Sequence, residues 1–321
     1  MQRLFLCTQN HGHHSGITDL VTMLRNGARD AGYDAMVSDV VEPGHCNILI
    51  ENFKGPGWAR GLAEVKQAGT RYVLVCTEIL TGSSFNRDLV PGDPHYGNDT
   101  YWNDRYIGFR EVAQVADELW VLSRAAVDDY RRAFPDKPVR WLRHGWVSGM
   151  QIVEHRPERD KDIDFFFSGS LTPDRALILQ RLAQRHRVAH SPQGGADYLR
   201  RDLLARAKVC LSMPLSPRNL LPSVSRLHFH LQNANFVLQQ AYREACELDP
   251  FVIQAPSEDF ADWAIAALDV AERRAIAEGA RERFRTEMPL ASWFGPMIEA
   301  VLDGPPSRPA RTAPSAELLP T

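Results

Sequence analysis

The sequence predicts an α/β protein of two domains, each built on a parallel sheet, and three observations carry that prediction. Its 321 residues match two domains at roughly 100–200 residues each. Short apolar segments of strand length alternate with amphipathic helical ones along nearly the whole chain, the pattern of strand–helix–strand crossovers. Phe165, Phe166 and Phe167 are apolar without alternation, as a strand buried on both faces requires.

Taken in order, residues 3–8 form the first strand and end in the polar loop QNHGHHSG at 9–16. A helix over 17–31 follows, with Leu20, Leu24 and Ala28 on one face and Gly32 placed to stop it. Strands are expected at 35–38 and 46–51, a helix at 58–68, and a strongly apolar strand, RYVLVCT, at 71–77. Residues 78–106 lose all periodicity and read as one long loop, a length that points to function or mobility. Helices at 109–116 and 124–134 then alternate with strands at 118–123 and 139–142.

Residues 148–161 are polar and charge-rich and read as a linker between a first domain at 1–147 and a second at 162–288. The second domain opens on the strand that runs into Ser168, Gly169 and Ser170. Helices at 176–185 and 196–207 are separated by a strand at 188–190 and a glycine turn at 193–195. A strand at 208–213, an irregular stretch at 214–222, a helix at 223–233 and a strand at 235–239 complete the alternation. Helices around 260–268 and 272–285 precede a final C-terminal helix, assigned to 289–303. The tail, 304–321, has the Pro-, Ala- and Ser-rich composition of disorder.

A hydrophobic fraction of 44%, a charged fraction of 24% and a net charge of −3 describe an ordinary globular protein and argue against general nucleic-acid binding. The partner class this leaves is a small molecule. Cys7, Cys46, Cys76, Cys210 and Cys246 are odd in number and widely spaced, as buried thiols are, not as a disulfide framework or a zinc site. No apolar run reaches the ~18 residues of a membrane span. The expectation is a cytoplasmic protein that meets a membrane at most peripherally.

The stretch DIDFFFSGSLTPDR, 162–175, concentrates the chemistry. A buried strand runs into three small residues that let a ligand approach the backbone. Thr172 is placed to cap the next helix and Pro173 to occupy its first turn, so free N–H groups and the positive helix end face the turn. A phosphate suits such a turn; so does an ordinary strand-to-helix connection.

The order of these features resembles the GT-B glycosyltransferases, over most of residues 1–302. QNHGHHSG sits where that fold has a glycine-rich loop. ADELWVLSRAAVDDYRRAF with KPVRWLRHGW, within 116–146, is similar to its exit from the first domain, and DIDFFFSGSLTPDR to the opening of its second. Together with LLARAKVCLSM and PSVSRLHFHLQNANFVL, the stretch FSGSLTPDR is similar to the spore-maturation-protein (CgeB-like) type.

The resemblance implies two Rossmann-like domains facing across a cleft, with a C-terminal helix packing back. It implies metal-independent transfer of a sugar from a nucleotide-diphosphate donor, a UDP-sugar before a GDP-sugar. The acceptor is left open: a glycan, a lipid-linked sugar, a protein or a small molecule. A nucleotide-sugar 2-epimerase and a non-catalytic carbohydrate- or nucleotide-binding protein share the fold. Many retaining members carry a spaced glutamate pair at the donor site, and residues 222–237 contain no glutamate, so the stereochemical outcome also stays open.

In that frame the nucleotide contacts are Gly12 and Gly16 in the first loop, Ser168, Gly169, Ser170 and Arg175 at the second-domain turn, and Ser223, Ser225 and Arg226 opening a helix. Arg226 and Arg175 would stabilise the leaving diphosphate. Glu247 and Glu244 are candidates for ribose or donor-sugar contacts, or exposed helix charges. His13 and His14, beside His11, offer a general base because an imidazole titrates near neutrality; solvated loop histidines are the alternative. Glu78, at the carboxyl end of a buried strand, is a second base or an acceptor contact. Asp93, Asp99, Tyr101 and Trp102 suit a sugar acceptor, or packing in the case of Trp102.

Overall fold

A computed structural model describes residues 3–8, 14–50, 58–66, 69–87, 89–90, 92–192, 195–216 and 223–304, with His14 and Ser15 described by their backbone alone. The expected histidine loop up to His13, residues 217–222 and the tail from 305 lie outside the described residues.

The first half runs β1 (Leu4–Cys7), α1 (His14–Asp30), β2 (Ala35–Ser38), β3 (Cys46–Ile50), α2 (Trp58–Lys66) and β4 (Arg71–Cys76). It continues through a small antiparallel hairpin, β5 (Leu80–Thr81) and β6 (Ser84–Phe85), to α3 (Asp99–Val115), β7 (Glu118–Val121), α4 (Val127–Ala133) and β8 (Val139–Trp141). Its six-stranded sheet has the order β2-β1-β3-β4-β7-β8 and every pair is parallel.

The second half runs β9 (Ile163–Ser168), α5 (Pro173–Ala183), β10 (Val188–Ser191), α6 (Asp197–Arg206), β11 (Ala207–Ser212), α7 (Val224–Gln232), β12 (Val237–Gln240) and β13 (Ile253–Ala255). Helices α8 (Phe260–Ala266), α9 (Arg273–Glu287) and α10 (Ala291–Asp303) follow. The five-stranded sheet, β10-β9-β11-β12-β13, is again parallel throughout. In both sheets the order reverses beside the first strand, and such switch points open a crevice outside the carboxyl ends of the strands.

The unbroken phenylalanine run has the reason expected of it. Phe165 and Phe167 join an apolar cluster with Phe260 and Leu179 on one face of the sheet, while Phe166 joins a cluster on the other face with Leu227 and Phe284. That second cluster continues into the first half through Leu24, Trp120 and Phe294, so the halves share apolar core. Gly32 stops α1 at φ +90°, and the Tyr33 N–H closes on the Ala28 carbonyl at 2.9 Å.

The structure departs from the sequence reading in four places. Helix α3 begins at Asp99, ten residues before the expected start, where Asn98 Oδ1 accepts the Tyr101 N–H at 3.1 Å. Its buried stripe is Trp102, Arg105, Phe109 and Val112; an arginine in the stripe hides the helical period. Thr172 occupies the N-cap of α5, yet among the described residues its buried hydroxyl has no partner, so Pro173 opens the helix without the expected side-chain cap. The short edge strand β13 lies in a stretch to which the sequence reading assigned no element.

Residues 148–161 are docked, not free. Asn233 Oδ1 accepts the N–H groups of Ile152 and Val153 at 2.8 and 3.0 Å, and Met150 is buried. The chain crosses between the halves at 146 and returns beside itself at 289, with Trp146 N–H on Met288 O at 2.7 Å and Leu290 N–H on Trp146 O at 2.9 Å. Gly145 is required there: a Cβ would stand 2.5 Å from Trp293 Cζ2 and 2.8 Å from Met288 O. Among the described residues no helix is long and apolar enough to cross a membrane.

Candidate functional site

The carboxyl ends of the two sheets line a common cleft of about 420 Å³. Its first-half wall is the opening of α1 with Gly16 and Asp19, the end of β4 with Glu78, and Tyr96, Ser123 and His144. Across it stand Ser168, Gly169, Ser170 and Arg175 after β9, Ser191 after β10, Asp197 and Arg200 of α6, Ser223, Ser225 and Arg226 at the opening of α7, and Tyr242 after β12. Nine of the sequence candidates therefore meet: Gly16, Glu78, Ser168, Gly169, Ser170, Arg175, Ser223, Ser225 and Arg226. His14 is the first residue of α1; Gly12 and His13 lie outside the described residues.

Their arrangement reassigns several roles. Gly169 has φ +125°, and its N–H is already bonded to Ser191 O at 3.0 Å while its carbonyl meets His190 Nε2 at 2.7 Å. Its expected backbone contact to a phosphate is thus not on offer. What it supplies is room, because a Cβ would lie 2.5 Å from Arg226 Nη2.

Arg226 and Arg175 each set their guanidinium carbon 5.1 Å from the Phe167 ring centroid. They differ in everything else. Arg175 is buried and donates to three backbone carbonyls, Ser170, Met213 and Pro214, each at 2.8 Å. It braces the turn, and burial together with the Arg226 charge brings its pKa down to about 9. Arg226 makes no such set of bonds; among the described residues its Nη1 has no hydrogen-bond partner, and neither arginine has an ion-pair partner. Burial lowers the Arg226 pKa as well, against the opposing influence of the Tyr242 and Tyr96 phenols. Two guanidiniums, Arg175 buried and Arg226 partly so, thus line the cleft with no carboxylate at ion-pair distance among the described residues.

Glu78 is held by Arg105 Nη1 at 2.7 Å and by Asn86 Nδ2 at 2.5 Å. Both carboxylate oxygens are engaged, and the pair with Arg105 ties the β4 end to α3. Glu247 does not line the cleft: it lies behind His144, whose backbone N–H it accepts at 3.2 Å and whose Nδ1 is 3.4 Å away. Burial pushes the Glu247 carboxyl up, but the hydrogen bond and charge of His144 outweigh it and hold it below the usual range. Glu244 is exposed.

The proposed acceptor residues mostly serve the wall itself. Asp93 Oδ1 accepts the N–H groups of His95 and Tyr96 at 2.9 and 3.1 Å, and Asp99 pairs with Arg87 on the surface at 3.4 Å. Trp102 is buried, with its Nε1–H on His95 O at 3.1 Å, and Tyr101 packs edge-on against it. Tyr96, from the same stretch, lines the cleft.

Residues missed by sequence reasoning complete the cleft. Arg200 donates to both oxygens of Asp19 at 2.7 and 2.8 Å and to Asp197 at 2.7 Å, joining α6 to α1 across the halves. The partners are 181 residues apart, so no local signal could pair them. His144 had one available signal, its place just past the carboxyl end of β8, where open sheets carry functional groups. Among the described residues no group of three or more His, Cys, Asp or Glu side chains is arranged to hold a metal ion.

No protein-family model and no curated protein matches the chain. Solved structures do match. TarM shares 10% identity over 82% of this chain and 56% of that one, with a TM-score of 0.49. A variant of S. aureus TarM in complex with fondaparinux, α-GlcNAc-glycerol and UDP shares 11% identity over 79% of this chain and 55% of that one, TM-score 0.50. A UDP-forming α,α-trehalose-phosphate synthase from Burkholderia xenovorans shares 11% identity over 84% and 75%, TM-score 0.50. The chain spans just over half the length of the TarM chains. At these identities the likeness is one of fold, and it defines the class: two Rossmann-like α/β domains facing a cleft, the GT-B architecture.

Proposed function

We propose that the protein is a glycosyltransferase that transfers a hexosyl or N-acetylhexosaminyl group from a nucleotide-diphosphate sugar, a UDP-sugar before a GDP-sugar. The observation that carries this reading is the pair of guanidiniums over Phe167, free of ion-pair partners among the described residues, at the switch point of the second sheet. When the bond from the sugar C1 to the β-phosphate oxygen breaks, its electron pair goes to the diphosphate. Arg226 and the opening of α7 stabilise that charge without a metal. The acceptor oxygen bonds to C1 and gives its proton to a base, for which His13 and His14 are the candidates. The finer assignment to the spore-maturation type rests on FSGSLTPDR and PSVSRLHFHLQNANFVL. The acceptor is a glycan, lipid-linked sugar, protein or small molecule.

The test is release of free nucleotide from a panel of UDP- and GDP-sugars, with and without acceptors and with EDTA present. Nucleotide release that persists in EDTA is expected. Saturable nucleotide binding without release would turn the reading to a binding protein, and an epimerised nucleotide sugar would turn it to a 2-epimerase.

A further inference from the structure

Behind the cleft wall lies a chain of three side chains from three separate segments. His144 Nε2 is 3.2 Å from Ser225 Oγ, and His144 Nδ1 is 3.4 Å from Glu247 Oε1. The His144 and Glu247 side chains are 1% and 5% exposed. Ser225 is half-buried, lines the cleft and directly precedes Arg226 in the first turn of α7.

The contact of Nδ1 with Glu247 is at ion-pair distance and outside hydrogen-bond geometry, and charge balance sets where the protons of this chain lie. A buried carboxylate needs a cation, and among the described residues His144 is the only basic side chain at ion-pair distance from Glu247. With His144 protonated, Nδ1–H faces Glu247 and Nε2–H is given to the Ser225 oxygen. The serine then keeps its own proton for the cleft. With the imidazole neutral and its proton on Nδ1, Nε2 accepts a hydrogen bond from the serine O–H and Ser225 shows the cleft only lone pairs. Diphosphate oxygens accept and do not donate, so the first state attracts them and the second does not.

We propose that His144 and Glu247 are positioning residues that make Ser225 an obligate hydrogen-bond donor to the diphosphate of the bound nucleotide, so that donor affinity follows the protonation of His144. This rests on the glycosyltransferase reading. The other groups facing His144 are His228, whose ring centroid is 5.7 Å away, and Arg226 beyond Ser225. Burial and the neighbouring His144 bring His228 down to about 3, and its Nε2 is bonded to Gly145 O at 2.8 Å, so it stays neutral in the range tested.

The experiment is calorimetric titration of UDP-glucose and GDP-glucose into the full chain at about pH 6 and about pH 8, the span in which an imidazole changes charge. Neither ligand's diphosphate diester titrates there. The tighter ligand should bind about tenfold better at the lower pH. Ser225→Ala and His144→Gln should each cost about tenfold at the lower pH, the size of a hydrogen bond to a charged group, and each should flatten the pH dependence. The double variant should be no weaker than the single ones, as members of one chain couple. Glu247→Gln should move the midpoint to lower pH. Ser225→Ala removes one half-buried hydroxyl and should melt with the parent. A parent without pH dependence, or a Ser225→Ala variant that keeps it, would overturn this inference and leave the glycosyltransferase reading intact. Failure of the parent to bind either ligand, and UDP and GDP as well, would overturn both.

Discussion

Arg175 and Arg226 share a side chain type and a ring to stand over, yet their surroundings predict opposite behaviour on removal. Arg175→Met removes the three hydrogen bonds given to the carbonyls of Ser170, Met213 and Pro214, and each lost bond to a charged donor costs about 1–3 kcal/mol. Its melting temperature should drop by several degrees. Arg226→Met removes a cation that lacks an ion-pair partner among the described residues and stands near another cation. Its melting temperature should hold or rise, while UDP affinity falls about 10- to 100-fold, as for a lost charge-assisted contact. Thermal melts and nucleotide titration of both variants decide this, and a destabilised Arg226→Met with intact affinity would reverse the assignment. Both arginines were legible as cations near a phosphate turn, Arg226 from its place behind Ser223 and Ser225. Which one is engaged by backbone carbonyls was not, because those that engage Arg175 arrive largely from a different strand end. For the same reason Gly169 was read as a backbone donor when its neighbour, 57 residues on, needs its missing side chain.

Helix α7 carries two buried histidines, His228 and His230, each 1% exposed. Burial is the first cause that brings both down to about 3, with the charges of His144 on His228 and of Arg226 on His230 adding to it. An unfolded histidine titrates near ~6.5. Folded values below that mean stability is complete above the unfolded value and is lost as pH falls toward the folded one, by up to about 1.4 kcal/mol per pH unit for each histidine. Urea melts between about pH 6.5 and 4 should therefore lose stability steadily. His230→Gln should lessen that slope by one proton's share; an unchanged slope would show that other groups drive the loss. At this scale most of the fold was readable, since strands β1, β4 and β9 and helices α1 and α9 carry their burial pattern in local periodicity. Helix α3 escaped because Arg105 sits in its buried stripe, and the carboxylate that pairs with that arginine, Glu78, comes from beyond the end of β4, 2.7 Å away.

The two halves meet at the paired crossing of 146 and 289, at the Ser216 hydroxyl on Leu89 O, and at Arg200 on Asp19. The last of these spans the cleft itself. Asp19→Asn should change stability by no more than about 1 kcal/mol, because the pair is partly solvated and Arg200 retains Asp197. It should nevertheless loosen one half against the other, seen as a larger radius of gyration in solution scattering and weaker nucleotide binding. If both stay at the parent's values, the pair is a surface contact without influence on the cleft. The sequence alone determined the two-domain α/β architecture, the strand run into 168–170 and the cationic start of α7, because each is written in neighbouring residues. Tertiary structure alone decided that Arg226, unlike Arg175, keeps a guanidinium nitrogen without a hydrogen-bond partner among the described residues, that Glu247 serves His144 and that Asp19 meets Arg200. Those facts depend on contacts between residues tens to nearly two hundred positions apart, for which side-chain periodicity holds no record.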